Sequence, residues 1–156
     1  MPAAGRTLSQ LLTGARRWFE EALLATLEEA GAAPVSPAQA HLFAVLDERG
    51  TTVSELARRM GVARQSAHQA VHGLVTAGLL EQVPHPSSGR QRLIRRTPRG
   101  EQTHHQAELV LGRIEVELAG RIGRPAVDAL RAALEAPWGP PPVLPPPVRP
   151  PPVRRP

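Results

Sequence analysis

Apolar residues recur at intervals of three and four through the first thirty positions of this chain, which is the spacing of one helix face. Nine of them form a single stripe: Leu8, Leu11, Leu12, Ala15, Trp18, Phe19, Ala22, Leu23 and Leu27. Gly31 ends the stripe, and Pro34 and Pro37 keep the chain from continuing as a helix. The pattern therefore predicts an amphipathic helix over residues 7–30.

A second, shorter apolar stripe follows this break. Ser36 is suited to cap the start of a helix, and Pro37 is suited to its first position, where no backbone N–H is needed. We expect this helix to end at Gly50. Its apolar positions are Ala40, Phe43, Ala44 and Leu46.

The next two stripes predict a helix-turn-helix. Thr52 precedes Glu55 by three residues, which is the spacing of a capping box, and Gly61 follows the last apolar position of this helix. Two residues then lead into a second helix that Gly78 is expected to terminate. Ala63 stands where this second helix would take a capping side chain, which costs about 1 kcal/mol. The inward positions are Val53, Leu56, Ala57 and Met60, then Ala67, Ala70, Val71 and Leu74.

Two short segments after the helix-turn-helix have the pattern of strands. "LLEQVP" and "RQRLIRR" are separated by "HPSSG", a turn rich in proline, serine and glycine, and together they predict a β-hairpin. The return strand carries four arginines and would form a basic wing: Arg90, Arg92, Arg95 and Arg96.

Two further helices are predicted after the hairpin. Thr97 and Pro98 suit the start of a long helix that ends near Gly123, and Pro125 begins a last one. Their inward stripes are Val110, Leu111, Ile114, Leu118 and Ile122, then Val127, Leu130 and Leu134. The fold class is mainly α with a small β-wing, in a single domain over residues 1–136. Residues 137–156 repeat proline triplets every five positions, which predicts a disordered, extended tail without a packed core.

The composition narrows the classes of function. A length of 156 residues suits one domain, and the absence of cysteine excludes disulfides and thiolate metal sites. No apolar run is long enough to cross a membrane, and no signal peptide is recognisable, so a cytoplasmic protein is expected. Aromatic residues make up only 3% of the chain, and neither a catalytic triad nor a phosphate-binding glycine loop is present. We therefore expect no enzyme and no cofactor.

The charge is concentrated in the middle of the chain. The net charge of +5 divides into −2 for residues 1–50, +6 for 51–100, −2 for 101–136 and +3 for 137–156. A basic middle between two acidic flanks predicts a central surface that meets a polyanion.

One face of the second helix of the helix-turn-helix is made of amides and imidazoles. Gln65, His68, Gln69 and His72 recur at helical spacing, with Arg64 and Ser66 near the helix start. Most polar stripes are simply solvated faces, but those usually carry charges, and here charges are almost missing. Glutamine pairs with adenine edges and arginine with guanine edges, so the stripe predicts base reading in a DNA major groove.

The order of elements and the motifs resemble the MarR family of winged helix-turn-helix regulators. "TTVSELARRMGVARQSAHQAVHGLVTAGLLEQ" is similar to that family's two-helix reader, and "PHPSSGRQRLIRRTPRG" matches its wing without gaps. Arg90, Thr97 and Gly100 fall on the family's arginine, threonine and glycine. Ser88 stands where an aspartate that orients the wing arginine is usual, and Arg96 stands where leucine is usual. The resemblance covers about residues 8–136.

The resemblance implies a homodimer that binds double-stranded DNA. Helices over 7–30 and 98–136 would form a dimerisation domain, and residues 36–97 would form the DNA-binding part. The implied function is a sequence-specific transcriptional regulator, expected to be a repressor of a pseudo-palindromic operator, with a small-molecule effector as a further partner and no membrane. The expected DNA contacts are Thr52, Arg58, Arg64, Gln65, Ser66, His68, Gln69, His72, Ser88, Arg90, Arg92 and Arg95.

Some features have competing interpretations. His68 and His72 have the spacing of a zinc pair, but no acid lies between them and no cysteine is available, so no metal site is expected. Trp18 and His41 are candidates for an effector pocket, although roles in the dimer core and as a hydrogen-bonded core histidine are the alternatives. A different class of function also stays open: a winged-helix interaction module or adaptor that docks through its proline-rich tail. Arg149, Arg154 and Arg155 of that tail could equally act as a cationic arm for DNA.

Overall fold

The computed structural model describes residues 5–32 and 35–145. Over these residues the chain forms six helices and one antiparallel hairpin. The elements are α1 (Leu8–Glu29), α2 (Pro37–Val45), α3 (Val53–Met60), α4 (Arg64–Thr76), β1 (Leu80–His85), β2 (Ser88–Arg96), α5 (Pro98–Ile122) and α6 (Arg124–Glu135). The fold is therefore mainly helical with a two-stranded wing, as the sequence predicted. No helix in the described part of the chain is both long and apolar enough to span a membrane.

Side-chain caps begin four of the helices. Thr7 and Ser36 each accept a hydrogen bond from a backbone N–H three residues on. In both cases the glutamine at that position accepts a hydrogen bond from the backbone N–H of the capping residue. Thr52 caps α3 in the same way, with Thr52 Oγ1 3.3 Å from the N–H of Glu55. The second bond of a capping box, from the Thr52 N–H to the Glu55 side chain, is absent in the described structure. The Glu55 carboxylate binds Arg58 and Arg59 instead, so the predicted capping box is only half formed. Thr97 caps α5, and Ala63 leaves α4 without a side-chain cap, as predicted.

The predicted end of α2 at Gly50 is wrong. The helix stops at Val45, and Leu46 is already extended. The chain then turns so that Thr51 pairs with Ile94 of β2 as an isolated bridge. Gly50 adopts a φ of +96°, and a Cβ there would lie 3.1 Å from the Ile94 carbonyl oxygen, so this turn requires glycine.

The hairpin is tighter than predicted. Pro86 and Ser87 form the turn, and His85 pairs with Ser88, whereas "HPSSG" was expected to be the whole turn. The register slips between Pro84 and His85, so β2 carries extra residues at the wing tip. Such a bulge twists the strands and redirects nearby side chains.

The main hydrophobic core lies inside residues 36–97, which we call the reader part. It is formed by α2, α3, α4 and the hairpin: Leu42, Phe43, Leu46, Leu56, Met60, Ala70, Val71, Leu74, Leu79, Leu80 and Ile94. We call α1, α5 and α6 the terminal helices. They pack on one another, but only Ile114 and Val127 among their apolar side chains are buried.

The start of the proline-rich tail folds back onto α6. Trp138 Nε1 donates a hydrogen bond to the Ala133 carbonyl oxygen at 2.9 Å. Residues 139–145 are exposed and form neither helix nor strand. The remainder of the tail, with Arg149, Arg154 and Arg155, lies outside the described residues, and so does Pro34.

Candidate nucleic-acid interface

The two faces of α4 differ sharply in exposure. Its apolar positions Ala67, Ala70, Val71 and Leu74 are buried against the reader core. On the outer side, five of the residues expected to contact DNA are exposed: Gln65, Ser66, His68, Gln69 and His72. Because the inner face is fixed by packing, the outer face presents its amides and imidazoles on a rigid helix.

A polar cleft of about 380 Å³ lies between the helix-turn-helix and the wing. It joins five of the expected contact residues, which the sequence separates by up to forty positions: Thr52, Arg64, His68, Arg90 and Arg92. Ser54, Gln82 and Gln91 line the same cleft and were not anticipated. The alternation of side chains along β1 and β2 could have placed both glutamines on the cleft side of the wing. The bulge shifts the pairing of the strands at the wing tip, so the sequence alone did not show which side they occupy.

The arginines of this region fall into two groups. Within the described part of the chain, Arg64, Arg90 and Arg92 form no ion pair, and all three are exposed. Arg58 is bound to Glu55 with an Nη2–Oε1 distance of 2.6 Å, and Arg95 is bound to Glu81 with an Nε–Oε1 distance of 2.6 Å. The uncompensated positive charge therefore lies in the cleft, where it would meet a polyanion.

Arg96 lies on β2, the predicted return strand, but it does not contribute to the basic surface of the wing as expected. Its side chain is 3% exposed and points into the protein, where Nη2 donates to the carbonyl oxygens of Phe43 and Leu46. Successive side chains of a strand alternate between its two faces, so Arg95 points to solvent and Arg96 to the core. Ser88, also an expected contact, is half-buried at the turn.

An ion-pair cluster fixes α3 against the loop after α2. Arg59 binds both carboxylate oxygens of Asp47 at 2.9 Å and also the Glu55 carboxylate. Hydrogen bonds from Arg58 and then Arg59 lower the pKa of Glu55 to about 2. The hydrogen bond from Arg59 likewise lowers the pKa of Asp47. These carboxylates stay charged at neutral pH and hold the first helix of the helix-turn-helix in place.

Trp18 and His41, the two effector-pocket candidates, have different surroundings in the described part of the chain. Trp18 lies in an open groove between α1 and α5, with the Arg121 guanidinium 5.8 Å from its ring centre. His41 lies on α2 with Nδ1 3.5 Å from Arg16, and its pKa is lowered by burial and by that arginine, while Glu20 opposes the shift.

A different cavity, which sequence reasoning missed, lies where α1, α2, α4 and α5 meet. Its volume is about 90 Å³, and its lining is mostly apolar, with Thr103, His104 and Glu108 as the polar residues. The apolar side chains around it come from distant segments, among them Leu23, Leu27, Phe43, Leu79 and Leu111. The four helical ones fit ordinary helix stripes, and Leu79 fits the apolar segment before β1, so nothing in the local pattern marks a cavity.

The model of the MarR family matches residues 33–91. Similar solved structures include the transcriptional repressor CouR bound to a 23-mer DNA duplex, at 26% identity and a TM-score of 0.66, over 82% of this chain and 89% of that chain. Wild-type MarR from E. coli in the apo form is 21% identical, with a TM-score of 0.69, over 84% of this chain and 96% of that one. A MarR family protein from Mycobacterium tuberculosis in complex with salicylic acid is 24% identical, with a TM-score of 0.65, over 85% and 97%. No curated protein matches the chain.

Proposed function

We propose that this chain, which the MarR family model matches over residues 33–91, is a MarR-type DNA-binding regulator, namely a cytoplasmic repressor that binds a pseudo-palindromic operator as a homodimer. The observation that carries the proposal is the cleft between helix-turn-helix and wing. There three exposed arginines, which form no ion pair with any described residue, lie beside the polar face of α4. Charge and hydrogen-bonding groups thus share one surface, which is what a duplex requires of its partner.

The proposal assigns different tasks to different side chains of this surface. Gln65, His68 and Gln69 on the exposed face of α4 would contact base edges in the major groove. Arg92 in the cleft would neutralise phosphate, and Arg90 near the wing tip would enter the minor groove. Arg58 and Arg95 are exposed but already bound to carboxylates, so a phosphate contact from either one would compete with an existing ion pair.

The open apolar faces of the terminal helices favour the dimer. Leu109, Val116, Leu130 and Leu134 are between 43% and 62% exposed, which is costly for an isolated chain in water. A second copy of the chain would cover them. Two-fold symmetry would then place the two α4 helices in half-sites whose centres lie about 10 bp apart.

A small-molecule effector is a further part of the proposal. The structurally similar protein from M. tuberculosis was solved with salicylic acid, and the similar protein NadR with 4-hydroxyphenylacetate. In this chain the mostly apolar cavity that His104 helps to line is better suited to such a ligand than the surroundings of Trp18 and His41 are. A cavity of about 150 Å³ holds benzene, so an aromatic ligand would have to widen the 90 Å³ present here.

An interaction module or adaptor that docks through the tail is the second candidate. Val143 and Leu144 of the tail are 99% and 76% exposed, so this apolar segment is accessible to an aromatic groove. The adaptor function would leave the polar face of α4 without a role in sequence reading.

Selection of bound duplexes from a random pool, followed by titration of two variants, tests the proposed function. Gln69→Ala should cost about 1–3 kcal/mol on the selected operator and little on a scrambled duplex. Arg92→Ala should weaken binding to both duplexes alike and reduce the slope of log affinity against log salt by about one. Gln102→Ala, an exposed amide on α5, is the matched control and should change neither. Equal losses on both duplexes for Gln69→Ala would contradict base reading and favour the adaptor.

A further inference from the structure

Arg96 is a buried charge at the junction between wing and α5. Its side chain is 3% exposed, whereas arginine is almost never buried without partners. Nη2 donates to the carbonyl oxygens of Phe43 at 3.1 Å and Leu46 at 3.0 Å. Nη1 lies 3.5 Å from the carboxylate of Glu101 in the first turn of α5, and the guanidinium lies 5.4 Å from the centre of the Phe43 ring. One side chain of β2 therefore contacts both α2 and α5.

The carbonyls that Arg96 binds are those that α2 leaves without partners. The last carbonyl groups of any helix lack an N–H one turn further on, and α2 ends without a left-handed glycine to supply one. Arg59 of α3 takes the Val45 carbonyl at 3.0 Å, and Arg96 takes those of Phe43 and Leu46. The negative end of α2 is thus capped by two guanidinium groups from the DNA-reading elements.

The same junction holds α5 directly against the end of α4. The Thr97 N–H donates to the Leu79 carbonyl at 3.1 Å, and Thr97 Oγ1 donates to the Gly78 carbonyl at 2.7 Å. Gly100 permits this approach, because a Cβ there would lie 2.0 Å from the Leu79 carbonyl oxygen. The start of α5 is therefore bonded directly to the end of α4, and Arg96 connects it to α2 by binding Glu101 as well as the carbonyls of Phe43 and Leu46.

We propose that Arg96 is a positioning residue that fixes the angle between the reader part and α5, and thereby sets the half-site spacing that the dimer accepts. An apolar side chain could fill the same space, but it would leave two carbonyls unsatisfied and would not bind Glu101. Hydrogen bonds of a guanidinium are directional, whereas apolar contacts allow neighbouring elements to slide. The inference rests on the proposed function, since spacing matters only to a dimer on DNA.

Binding to operators with altered spacing tests this role. Each inserted base pair moves a half-site by about 3.4 Å and rotates it by about 35°. The wild-type protein should lose at least about tenfold in affinity for one added or removed base pair, comparable to a lost base contact. Arg96→Leu should flatten this spacing profile to less than about threefold while base preference within each half-site is unchanged. A purely structural role would instead lower the affinity for all spacings by one factor.

Two more variants keep the test decisive. Glu101→Gln removes the ion pair at a side chain that is 49% exposed, so the fold should persist, and it should flatten the spacing profile in the same direction. Ile94→Val is the control, because it weakens the reader core without touching the bonds of Arg96, and it should keep the wild-type profile. A wild-type profile in folded Arg96→Leu and Glu101→Gln would overturn the inference, and if Arg96→Leu does not fold, Glu101→Gln alone decides. Absence of any duplex binding by the wild-type protein would instead overturn the proposed function, and this inference with it.

Discussion

The reader part and the terminal helices differ in how completely each closes its own core. Thirteen of the fifteen buried hydrophobic residues in the described part of the chain lie in the reader part, and only Ile114 and Val127 lie in the terminal helices. Conversely, seven large apolar residues of the terminal helices are exposed: Leu8, Leu11, Leu109, Val116, Ile122, Leu130 and Leu134. Apolar residues recur at the same helical spacing in both regions. This spacing therefore predicts which face of a helix is apolar, but not whether the same chain or a second one buries that face. We infer that the reader part folds around itself, whereas the terminal helices are completed by a second copy.

The largest expected effect comes from placing a charge on the open face. Val116→Arg should leave the monomer fold intact, since Val116 is 62% exposed, but it should bury an unpaired charge in the dimer. Such a charge costs about 3–5 kcal/mol, so the dimer should dissociate and operator affinity should fall by at least about a hundredfold. Size-exclusion chromatography and operator titration measure the two effects.

Val143→Arg is the control for that variant, because Val143 is 99% exposed in the tail and the same charge there should change neither property. A Val116→Arg protein that remains a dimer would contradict the inference that a second copy covers the apolar face of the terminal helices.

Equal truncations in the two regions should fail in different ways. Leu56→Ala in the closed core should lower the free energy of unfolding by about 2–5 kcal/mol without changing the dimer dissociation constant. Leu134→Ala, at a side chain 47% exposed, should raise that constant about tenfold, the cost of an ordinary interface contact. Chemical denaturation and sedimentation of both variants check this. Similar changes in both quantities for both variants would show that the regions do not differ.

Arg90→Ala tests the wing of the reader part. Since Arg90 is exposed and forms no ion pair within the described residues, its loss should leave stability unchanged and weaken binding roughly three- to tenfold. The loss should be greatest for duplexes with a narrow minor groove, where an inserted arginine senses the negative potential. Titration of A-tract and G·C-rich flanks measures the difference, and an unchanged affinity at low salt would exclude Arg90 from the interface.

The smallest effect concerns His41, which lies on α2 opposite Arg16 of α1, at the boundary between the two regions. Burial and Arg16 lower its pKa below 6.5, so the folded protein favours the uncharged ring. This contribution to stability is present above pH 6.5 and is lost as the pH falls through the lowered pKa. His41→Gln should therefore lose less thermal stability between pH 7.5 and pH 5 than the wild type. Thermal melting of both proteins at the two pH values measures this. An equal drop in melting temperature for the wild type and His41→Gln would contradict the prediction.

Signals from neighbouring residues predicted much of the fold and part of the candidate interface. Thr97 and Gly61 mark helix ends through caps that depend only on neighbouring residues, and both are confirmed. Gly50 gave the wrong end for α2, which stops at Val45. The residues after Val45 instead lead to the pairing of Thr51 with Ile94, a contact between distant segments that local sequence does not reveal. Arg96 was expected on the exposed surface of the wing because composition alone does not show which face of a strand an arginine occupies. The apolar cavity between α1, α2, α4 and α5 was not predicted, because it arises from four elements at once.

Sedimentation equilibrium of the wild-type chain at micromolar concentration, alone and with one operator duplex, shows whether a second copy completes the terminal helices. We expect a particle of twice the chain mass of 16.8 kDa, and one such dimer on each operator. Circular dichroism on the same sample establishes that it is folded. A well-folded monomer of 16.8 kDa that stays monomeric on the operator would contradict the account.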